Sequence, residues 1–222
     1  MIAAVDKAYL HIREGIIRGQ YAPGAHLSAQ DLAAASGLSR TPVREAMRRL
    51  HAEGLIEIIP NRGAFVTRID EQEIRNIYDL RIVLEGYAAA TAARNITHAQ
   101  LVELQTMADD MCDLVCANPP TLAEDLSEAN NHFHKLIVTA SHNGRLQSTL
   151  ATIVEMPLVL RTFRHYDKDA VRRSTDQHLE IVSALKARDS EWARSVMTSH
   201  ILSAQHTLLT GTGGEPGEEV GG

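Results

Sequence analysis

Residues 32–66 read LAAASGLSRTPVREAMRRLHAEGLIEIIPNRGAFV, and this stretch decides the fold of the N-terminal third of the chain. It predicts a short helix that ends at Gly37, because glycine suits the left-handed backbone that follows many helices. A second helix is predicted to start with Thr41 as its cap and a proline in the first helical position. Two β-prone runs follow, 55–59 and 64–66, and the Pro-Asn-Arg-Gly link between them is typical of a hairpin.

The segments on either side complete a mainly α fold. Apolar spacing predicts a helix over about residues 2–18, and Ser28 is a candidate cap for the short helix. Three helices followed by a two-stranded β-wing have the order of a winged helix-turn-helix. We therefore expect a DNA-binding domain over 1–69, an all-α antiparallel bundle over 70–210 and a disordered tail over 211–222. Six bundle helices are predicted, at about 70–93, 97–117, 120–141, 144–166, 168–188 and 190–209, with a kink at Pro157.

Charge is divided unevenly along the chain. The net charge is −6, but 1–69 hold nine Lys+Arg against six Asp+Glu (+3), whereas 70–222 hold thirteen against twenty-two (−9). Such asymmetry suggests that the first part meets a polyanion. No apolar run is long enough to span a membrane and no signal peptide is evident, so a cytoplasmic location is expected. Cys112 and Cys116 are interpreted as small buried residues in a reducing compartment, with a redox switch as the alternative.

The helix after the glycine turn has two distinct faces. Its apolar residues, Val43, Met47 and Leu50, form one stripe, while Arg44 and Arg48 are i,i+4 neighbours on another face. Guanidinium groups on such a helix can pair with guanine edges or phosphates in the major groove. The alternative is an ordinary solvated basic face. The hairpin that follows, with a basic tip, favours DNA contact.

The same stretch, 32–66, closely resembles the DNA-binding domain of the GntR family of bacterial regulators, and the helical remainder resembles the ligand-sensing (FCD) domain of its FadR-type branch. The resemblance covers about residues 5–209. One departure concerns the start of the short helix, where Ala29 and Gln30 replace a Glu-Arg pair common in the family, so one charged DNA contact is expected to be lost. The contacts that the resemblance implies are Ser39, Arg40, Thr41, Arg44, Arg48 and, at the hairpin turn, Gly63. Arg62, at the basic hairpin tip, is a further candidate from the position of its charge.

Histidines are concentrated in the helical part, which holds eight of the eleven. Asn130 and His134 are i,i+4 on an apolar stripe, and His178 and His200 each lie on further apolar stripes. If the chain reverses near Asp189, His178 and His200 both lie eleven residues from the turn, roughly 16 Å along an antiparallel helix pair. Three imidazoles and one amide oxygen are then able to converge on a metal ion. The alternative is that each is a hydrogen-bonded core histidine.

The family resemblance extends this hypothesis. FadR-type sensing domains often hold a divalent metal through a D/N-x-x-F-H pattern and two later histidines, and Asn130, His134, His178 and His200 match it. Zn is the first candidate for the metal, and Ni, Mn and Fe are the others. Asparagine in place of aspartate removes one negative charge from the ligand set, so a lower metal affinity is expected. Arg81 matches the arginine that clamps the carboxylate of the family's metabolites, with an ion pair to Glu85 as the alternative. Three other histidines, His132, His142 and His165, are interpreted as surface residues.

Two other classes of function compete with a regulator. An enzyme would need an open metal position and a general base, and none of the motifs HExxH, GxSxG, P-loop or GxGxxG occurs. An adaptor protein would leave the arginine-lined helix without a role. The sequence therefore predicts a non-enzymatic homodimeric regulator, a repressor rather than an activator, which binds a two-fold symmetric double-stranded operator and a small organic-acid effector without membrane attachment.

Overall fold

The computed structural model describes residues 3–17, 19–68, 70–153 and 156–212, and the chain divides into two compact units, Met1–Asp70 and Glu71–Gly222. The first unit has the predicted winged helix-turn-helix fold. Its core lies between the three helices and one face of a small sheet, and it includes the predicted stripe of Val43, Met47 and Leu50. The elements are α1 (Ala4–Ile17), β1 (His26–Leu27), α2 (Ala29–Ser36), α3 (Arg40–Ala52), β2 (Ile56–Ile59) and β3 (Gly63–Val66).

The turn between α2 and α3 follows from its residues, with one correction. Ser28 caps α2 by accepting a hydrogen bond from the backbone N–H of Asp31, and Gly37 adopts the left-handed backbone (φ 66°) that ends the helix. Helix α3 begins at Arg40 with Ser39 as the N-cap, so the prediction that Thr41 caps it was wrong. The proline that follows Thr41 still lies within the first turn, where no intrahelical partner exists for a backbone N–H.

The sheet has three strands rather than the two predicted. Strands β2 and β3 form the expected antiparallel hairpin, with Ile59 opposite Gly63 at its closed end. The additional strand β1 pairs antiparallel with the other edge of β3, which places Leu27 opposite Ala64. Because Leu27 is almost fully buried, this two-residue strand closes the core of the unit beside the hairpin.

The second unit is helical throughout its described residues. The fourth predicted helix corresponds to α7 and α8, which lie on either side of residues 154 and 155, outside the described part of the chain, and each of the other five predictions corresponds to a single helix. Pro157 lies in the first described turn of α8, and the two residues just before that helix, where the predicted kink would show, lie outside the described part of the chain. The predicted disordered tail falls outside the described residues from 213 onward. The helices are α4 (Glu71–Asn95), α5 (His98–Ala117), α6 (Leu122–Ala140), α7 (Gly144–Ile153), α8 (Met156–His165), α9 (Lys168–Lys186) and α10 (Ser190–Thr212).

Close packing of α4 against α10 is central to this unit. The second half of α4 is rich in alanine, and a Cβ atom added at Gly86 would lie only 3.2 Å from the hydroxyl of Thr198 on α10. Small residues at this crossing let the two helices approach along most of their length. The remaining helices pack around this pair, α9 beside α10 and α6 beside α4.

Two further sequence expectations can be compared with the described residues. No helix among them is long and apolar enough to cross a membrane. Cys112 is partly buried and Cys116 is exposed, so the expectation of two buried cysteines was wrong for the second of them. Burial raises the pKa of the Cys112 thiol, with nearby acidic groups adding to the effect.

Candidate metal centre and DNA-binding surface

Three histidines from three different helices meet in the interior of the helical unit. One ring nitrogen each of His134 (α6), His178 (α9) and His200 (α10) lies within 4.8 Å of the other two, and all three side chains are buried. The Nε2 atoms of His134 and His200 are 3.3 Å apart, and Nε2 of His178 is 3.1 Å from Oδ1 of Asn130. The four residues that the sequence singled out as a metal-ligand set are thus brought together.

The outer nitrogen of each ring is occupied by an acceptor. Nδ1 of His178 lies 2.7 Å from the backbone carbonyl of Ser174, and since a carbonyl only accepts hydrogen bonds, this nitrogen carries the ring proton. Nδ1 of His200 faces the side-chain oxygen of Gln177 at 3.3 Å in the same way. A neutral imidazole protonated at Nδ1 has a free lone pair at Nε2, which is the form that binds a metal.

The third histidine is oriented by a buried carboxylate. Glu85 of α4 accepts a hydrogen bond from Nδ1 of His134 at 2.5 Å, and its other oxygen accepts one from Nε of Arg81 at 2.7 Å. The Arg81–Glu85 ion pair, which the sequence offered as the alternative for Arg81, is therefore present, and its side chains are only 5% and 3% exposed. Carboxylates behind a metal-binding imidazole fix the ring orientation and raise its basicity.

The protonation states suit a cation at the centre. Burial, with His134 beside it, lowers the pKa of His178 to about 3. Burial also lowers the pKa of His200 well below its ordinary value, and the neighbouring histidines add to this. Burial alone would raise the pKa of Glu85, but Arg81 and His134 outweigh it and hold that pKa at about 2. At neutral pH, the imidazoles of His178 and His200 are therefore neutral and the carboxylate of Glu85 is anionic.

A shared cation would reconcile the lone pairs at this point. Nε2 of His134 and Nε2 of His200 face each other, and Nε2 of His178 faces an amide oxygen. Either a proton or a metal ion must lie between such atoms for the contacts to be favourable. Ligand nitrogens at 2.0–2.1 Å from a tetrahedral ion are about 3.3–3.4 Å apart, which matches the separation of His134 and His200. The residues present therefore fit a divalent metal.

A cavity of about 430 Å³ adjoins the centre. Its polar inner end is formed by Arg81, Glu85, Asn130 and His134, all of them buried. This volume is within the range of small-molecule binding sites. The remaining lining residues are Asn131, Lys135, Val138, Gln147, Leu150, Ala151 and Val159.

A basic surface lies on α3 of the first unit. Every candidate DNA contact on or just before this helix is exposed, because the apolar stripe turns the opposite face toward the core. Arg40, Arg44 and Arg48 follow one another at i,i+4 spacing and form a row along the helix. Arg48 is paired with Glu45 at 2.5 Å, whereas Arg40 and Arg44 have no ion-pair partner within the described part of the chain. Ser39 and Thr41 lie at the start of the row.

Arg49 is different from its neighbours. Its guanidinium lies 3.8 Å from the centre of the Tyr9 ring on α1, and it pairs with Glu53 at 3.2 Å and with Asp6 at 3.4 Å. The hydroxyl of Tyr9 also donates a hydrogen bond to Glu53. Arg49 therefore ties α3 to α1.

The hairpin tip carries the remaining two candidates, Arg62 and Gly63, both exposed. Gly63 has a φ of 106°, which L side chains rarely adopt, and an added Cβ would lie 2.6 Å from the ring of His26 on β1. The glycine is thus required by both the backbone and the neighbouring strand. Arg62 lies over the ring of Phe65, with 5.8 Å between guanidinium carbon and ring centre.

Sequence reasoning missed several residues of the helical site. Glu85 was considered only as an ion-pair partner of Arg81, and its contact with His134 links α4 to α6, which a helix-by-helix reading does not detect. Gln177 directly precedes His178 in the sequence, but its side-chain oxygen contacts Nδ1 of His200 on the next helix. Lys135 and Gln147, at the outer part of the cavity, carried no motif.

The chain combines a winged helix-turn-helix, which has an arginine row on its second helix, with a helical unit that contains a buried histidine centre. This combination is typical of DNA-binding regulators that carry a sensing domain. Comparison with known proteins agrees with this. Residues 4–66 match the family model of bacterial regulatory proteins, gntR family, and residues 76–203 match that of the FCD domain. The chain belongs to the GntR family of transcription regulators, and it carries an FCD domain.

Individual relatives cover nearly the whole chain. The HTH-type transcriptional repressor RspR of Escherichia coli (strain K12) is 31% identical over 199 residues, which are 88% of this chain and 85% of that protein. The Nta operon transcriptional regulator of Aminobacter aminovorans is 29% identical over 181 residues, covering 82% and 83%. The solved structure of E. coli McbR/YncC has the same fold, with a TM-score of 0.76 at 23% identity over 95% of this chain and 99% of that one.

Proposed function

We propose that this regulator is a repressor whose operator affinity is controlled by a small carboxylate metabolite, bound beside a divalent metal in the helical unit. The observation that carries the proposal is the convergence of three imidazole Nε2 atoms and one amide oxygen on a single buried point. Polar groups at such depth are expected to be satisfied, and a shared cation would satisfy all four of these atoms at once. Asn130, His134, His178 and His200 would hold the metal.

Zn is the first candidate for the metal, because three neutral imidazoles and one oxygen form a ligand set that it commonly accepts. Ni, Mn and Fe are the other candidates. The ion supplies a fixed positive charge at the inner end of the cavity. An aspartate at position 130 would cancel one unit of the metal's positive charge. Because Asn130 is neutral, that charge remains available to attract an anionic ligand.

The effector site is supported by the position of Arg81. Its side chain lines the inner end of the cavity, within one helical turn of Glu85. A carboxylate placed between the metal and Arg81 would satisfy both cationic groups with charge-assisted hydrogen bonds and a coordinate bond. Binding that favours one arrangement of the chain over another would shift the population that fits the operator.

The DNA contacts that we propose are the exposed residues of α3 and of the hairpin tip. Arg40 and Arg44, which have no ion-pair partner among the described residues, are the strongest candidates for base edges or phosphates. Arg48 would exchange its surface ion pair with Glu45 for a phosphate at little cost. The full set is Ser39, Arg40, Thr41, Arg44, Arg48, Arg62 and Gly63.

A homodimer is supported by an apolar stripe on α4. Leu80, Val83 and Tyr87 are 50%, 66% and 46% exposed, and their i, i+3, i+7 spacing places them on one face. If two copies of α4 pack antiparallel about Val83, Glu73, which is one heptad before Leu80 and so on the same face, lies near the basic last turn of the other helix, which contains Arg94. The face is thus complementary to itself, as a two-fold interface requires.

The test begins with the metal content of the untagged protein, measured by mass spectrometry, in His178→Ala and in the control His132→Ala. His132 is exposed on α6, so its replacement should leave about one divalent ion per chain, whereas His178→Ala should leave none. Binding to DNA fragments selected from a random library is then titrated with a panel of carboxylates, with and without EDTA. An effect of a carboxylate on DNA affinity that EDTA removes is expected. If His178→Ala unfolds although the wild-type protein never contained a metal, the residue is a core histidine and the metal proposal fails.

A further inference from the structure

We infer that the effector carries two anionic groups, and that Lys135 at the outer end of the cavity receives the second one. This inference rests on the proposed function, in which the first carboxylate lies at the metal and Arg81. It names a specificity residue and a narrower ligand class, namely short dicarboxylates and their close relatives.

Two pairs of side chains on α6 line the cavity. Asn130 and His134 are i,i+4 and buried, 5% and 7% exposed, and they face the metal centre. Asn131 and Lys135 are also i,i+4, one position further along, so they are rotated by about 100° about the helix axis. Both line the same cavity, but Asn131 is only half-buried and Lys135 is exposed. The second pair therefore lies toward the mouth.

The charges of the cavity are unevenly compensated. At the inner end, Glu85 already balances Arg81 at 2.7 Å. Lys135 has no carboxylate partner among the residues that the structure describes. The uncompensated positive charge is therefore that of the metal at one end and of Lys135 at the other. A ligand with one anionic group would neutralise the first and leave the second.

The wall between the two ends is apolar. Val138, Leu150 and Val159 are buried and line the cavity between the histidine end and the mouth. A short carbon chain is the complement of such a wall, since it loses no hydrogen bonds on burial. Gln147, exposed on α7, adds an amide at the mouth beside Lys135. The cavity as a whole is complementary to an anion–carbon chain–anion molecule.

The experiment compares acids that differ only in the second charge. The full chain is loaded with one equivalent of Zn²⁺, and calorimetry measures its affinity for succinate, glutarate and adipate and for butanoate, pentanoate and hexanoate. At least one diacid should bind about tenfold or more tightly than the monoacid of equal length, the effect of one charge-assisted contact. In Lys135→Met, which keeps the apolar stem of the side chain, the diacid should fall to within about threefold of the monoacid, with monoacid affinity unchanged.

The matched control is Lys186→Met, which removes an exposed lysine at the end of α9 and should keep the diacid preference. Equal affinity within every wild-type pair, or a preference that survives in Lys135→Met, would overturn the inference while leaving a carboxylate sensor in place. Tighter binding of gluconate, a monoanion rich in hydroxyls, than of every diacid would also overturn it. If no acid of either series binds, the proposed effector site fails together with the inference.

Discussion

Replacement of Glu85 by glutamine tests whether this carboxylate both balances the charge of Arg81 and orients His134. The carboxylate accepts hydrogen bonds from Arg81 and from His134, and all three side chains are buried. A glutamine has nearly the same shape but only one acceptor oxygen. Its amide group would face a second donor, and the guanidinium of Arg81 would be left without its counter-ion.

The magnitude follows from the burial of the pair. Removing one partner of a buried ion pair costs about 3–5 kcal/mol of unfolding free energy, because the other charge stays buried. The ion pair of Glu71 with Arg75 lies on the same helix with the same i,i+4 spacing, but its side chains are 59% and 51% exposed. Exposed pairs are worth about 0–1 kcal/mol. Glu71→Gln is therefore the matched control. Loss of the carboxylate behind His134 should also weaken metal binding about 10–100-fold.

The assay uses the single tryptophan of the chain as a reporter of the helical unit. Trp192 lies on α10 and its ring N–H donates a hydrogen bond to Glu180 on α9, so its fluorescence changes when these helices separate. Urea unfolding in EDTA measures the stability of the metal-free unit. Zn²⁺ titration of the folded variants measures the affinity of the site.

Two results would refute the reasoning. A cost below about 1 kcal/mol for Glu85→Gln, similar to that of Glu71→Gln, would mean that the carboxylate is not needed to balance Arg81. Unchanged Zn²⁺ affinity in a folded variant would mean that Glu85 does not orient His134. The double variant Arg81→Met/Glu85→Gln should be more stable than Glu85→Gln alone, because it leaves no unpaired cation in the interior.

Three further predictions concern pH, DNA and assembly. Between pH 6.5 and 5 the unfolded chain binds a proton at His178 that the folded chain, with a pKa of about 3 there, does not. His178 alone should therefore cost the metal-free protein about 1.7 kcal/mol in Trp192-detected unfolding, and His200, whose pKa is also lowered, should add to the loss; a His178→Gln variant that loses as much as the wild-type protein would contradict this. Arg44→Ala should weaken operator binding by about 1–3 kcal/mol in a fluorescence anisotropy titration, whereas Arg49→Ala, whose side chain is held against Tyr9, should not; equal effects would disprove the assignment of the two faces. Val83→Asp should convert dimers to monomers in light scattering, while Val102→Asp, at a site 54% exposed on α5, should not; a dimeric Val83→Asp protein would place the interface elsewhere.

The parts of the fold that were predicted correctly depend on local chemistry. The Gly37 turn and the Ser28 cap depend on particular backbone angles and hydrogen-bond donors within a few residues. They can therefore be predicted from the residues next to them in the sequence. Strand β1 was missed because two residues have no recognisable alternation, and the strand exists only by pairing with β3, about forty residues away. The kink expected at Pro157 stays a prediction, because residues 154 and 155 between α7 and α8 lie outside the described part of the chain.

The metal-ligand set was predictable for a different reason. Helical periodicity placed Asn130 and His134 on one buried face, and equal distances from the turn at Asp189 brought His178 and His200 to one level. The groups behind the imidazoles were not predictable in this way. Glu85 has the spacing of an ordinary surface ion pair with Arg81, and only the packing of α6 and α10 on α4 makes it a buried partner of His134.

The two pairs of side chains on α6 have a consequence for how such proteins diversify. Substitutions at Asn131, Lys135 or Gln147 would change the charge and shape of the outer cavity without touching an atom that faces the histidine centre. Under the proposed function, selection could therefore change which small acid binds while the histidine centre stays constant. Duplicated copies of one such gene could then acquire separate effectors through a few substitutions at the mouth of the cavity, with the interior unchanged.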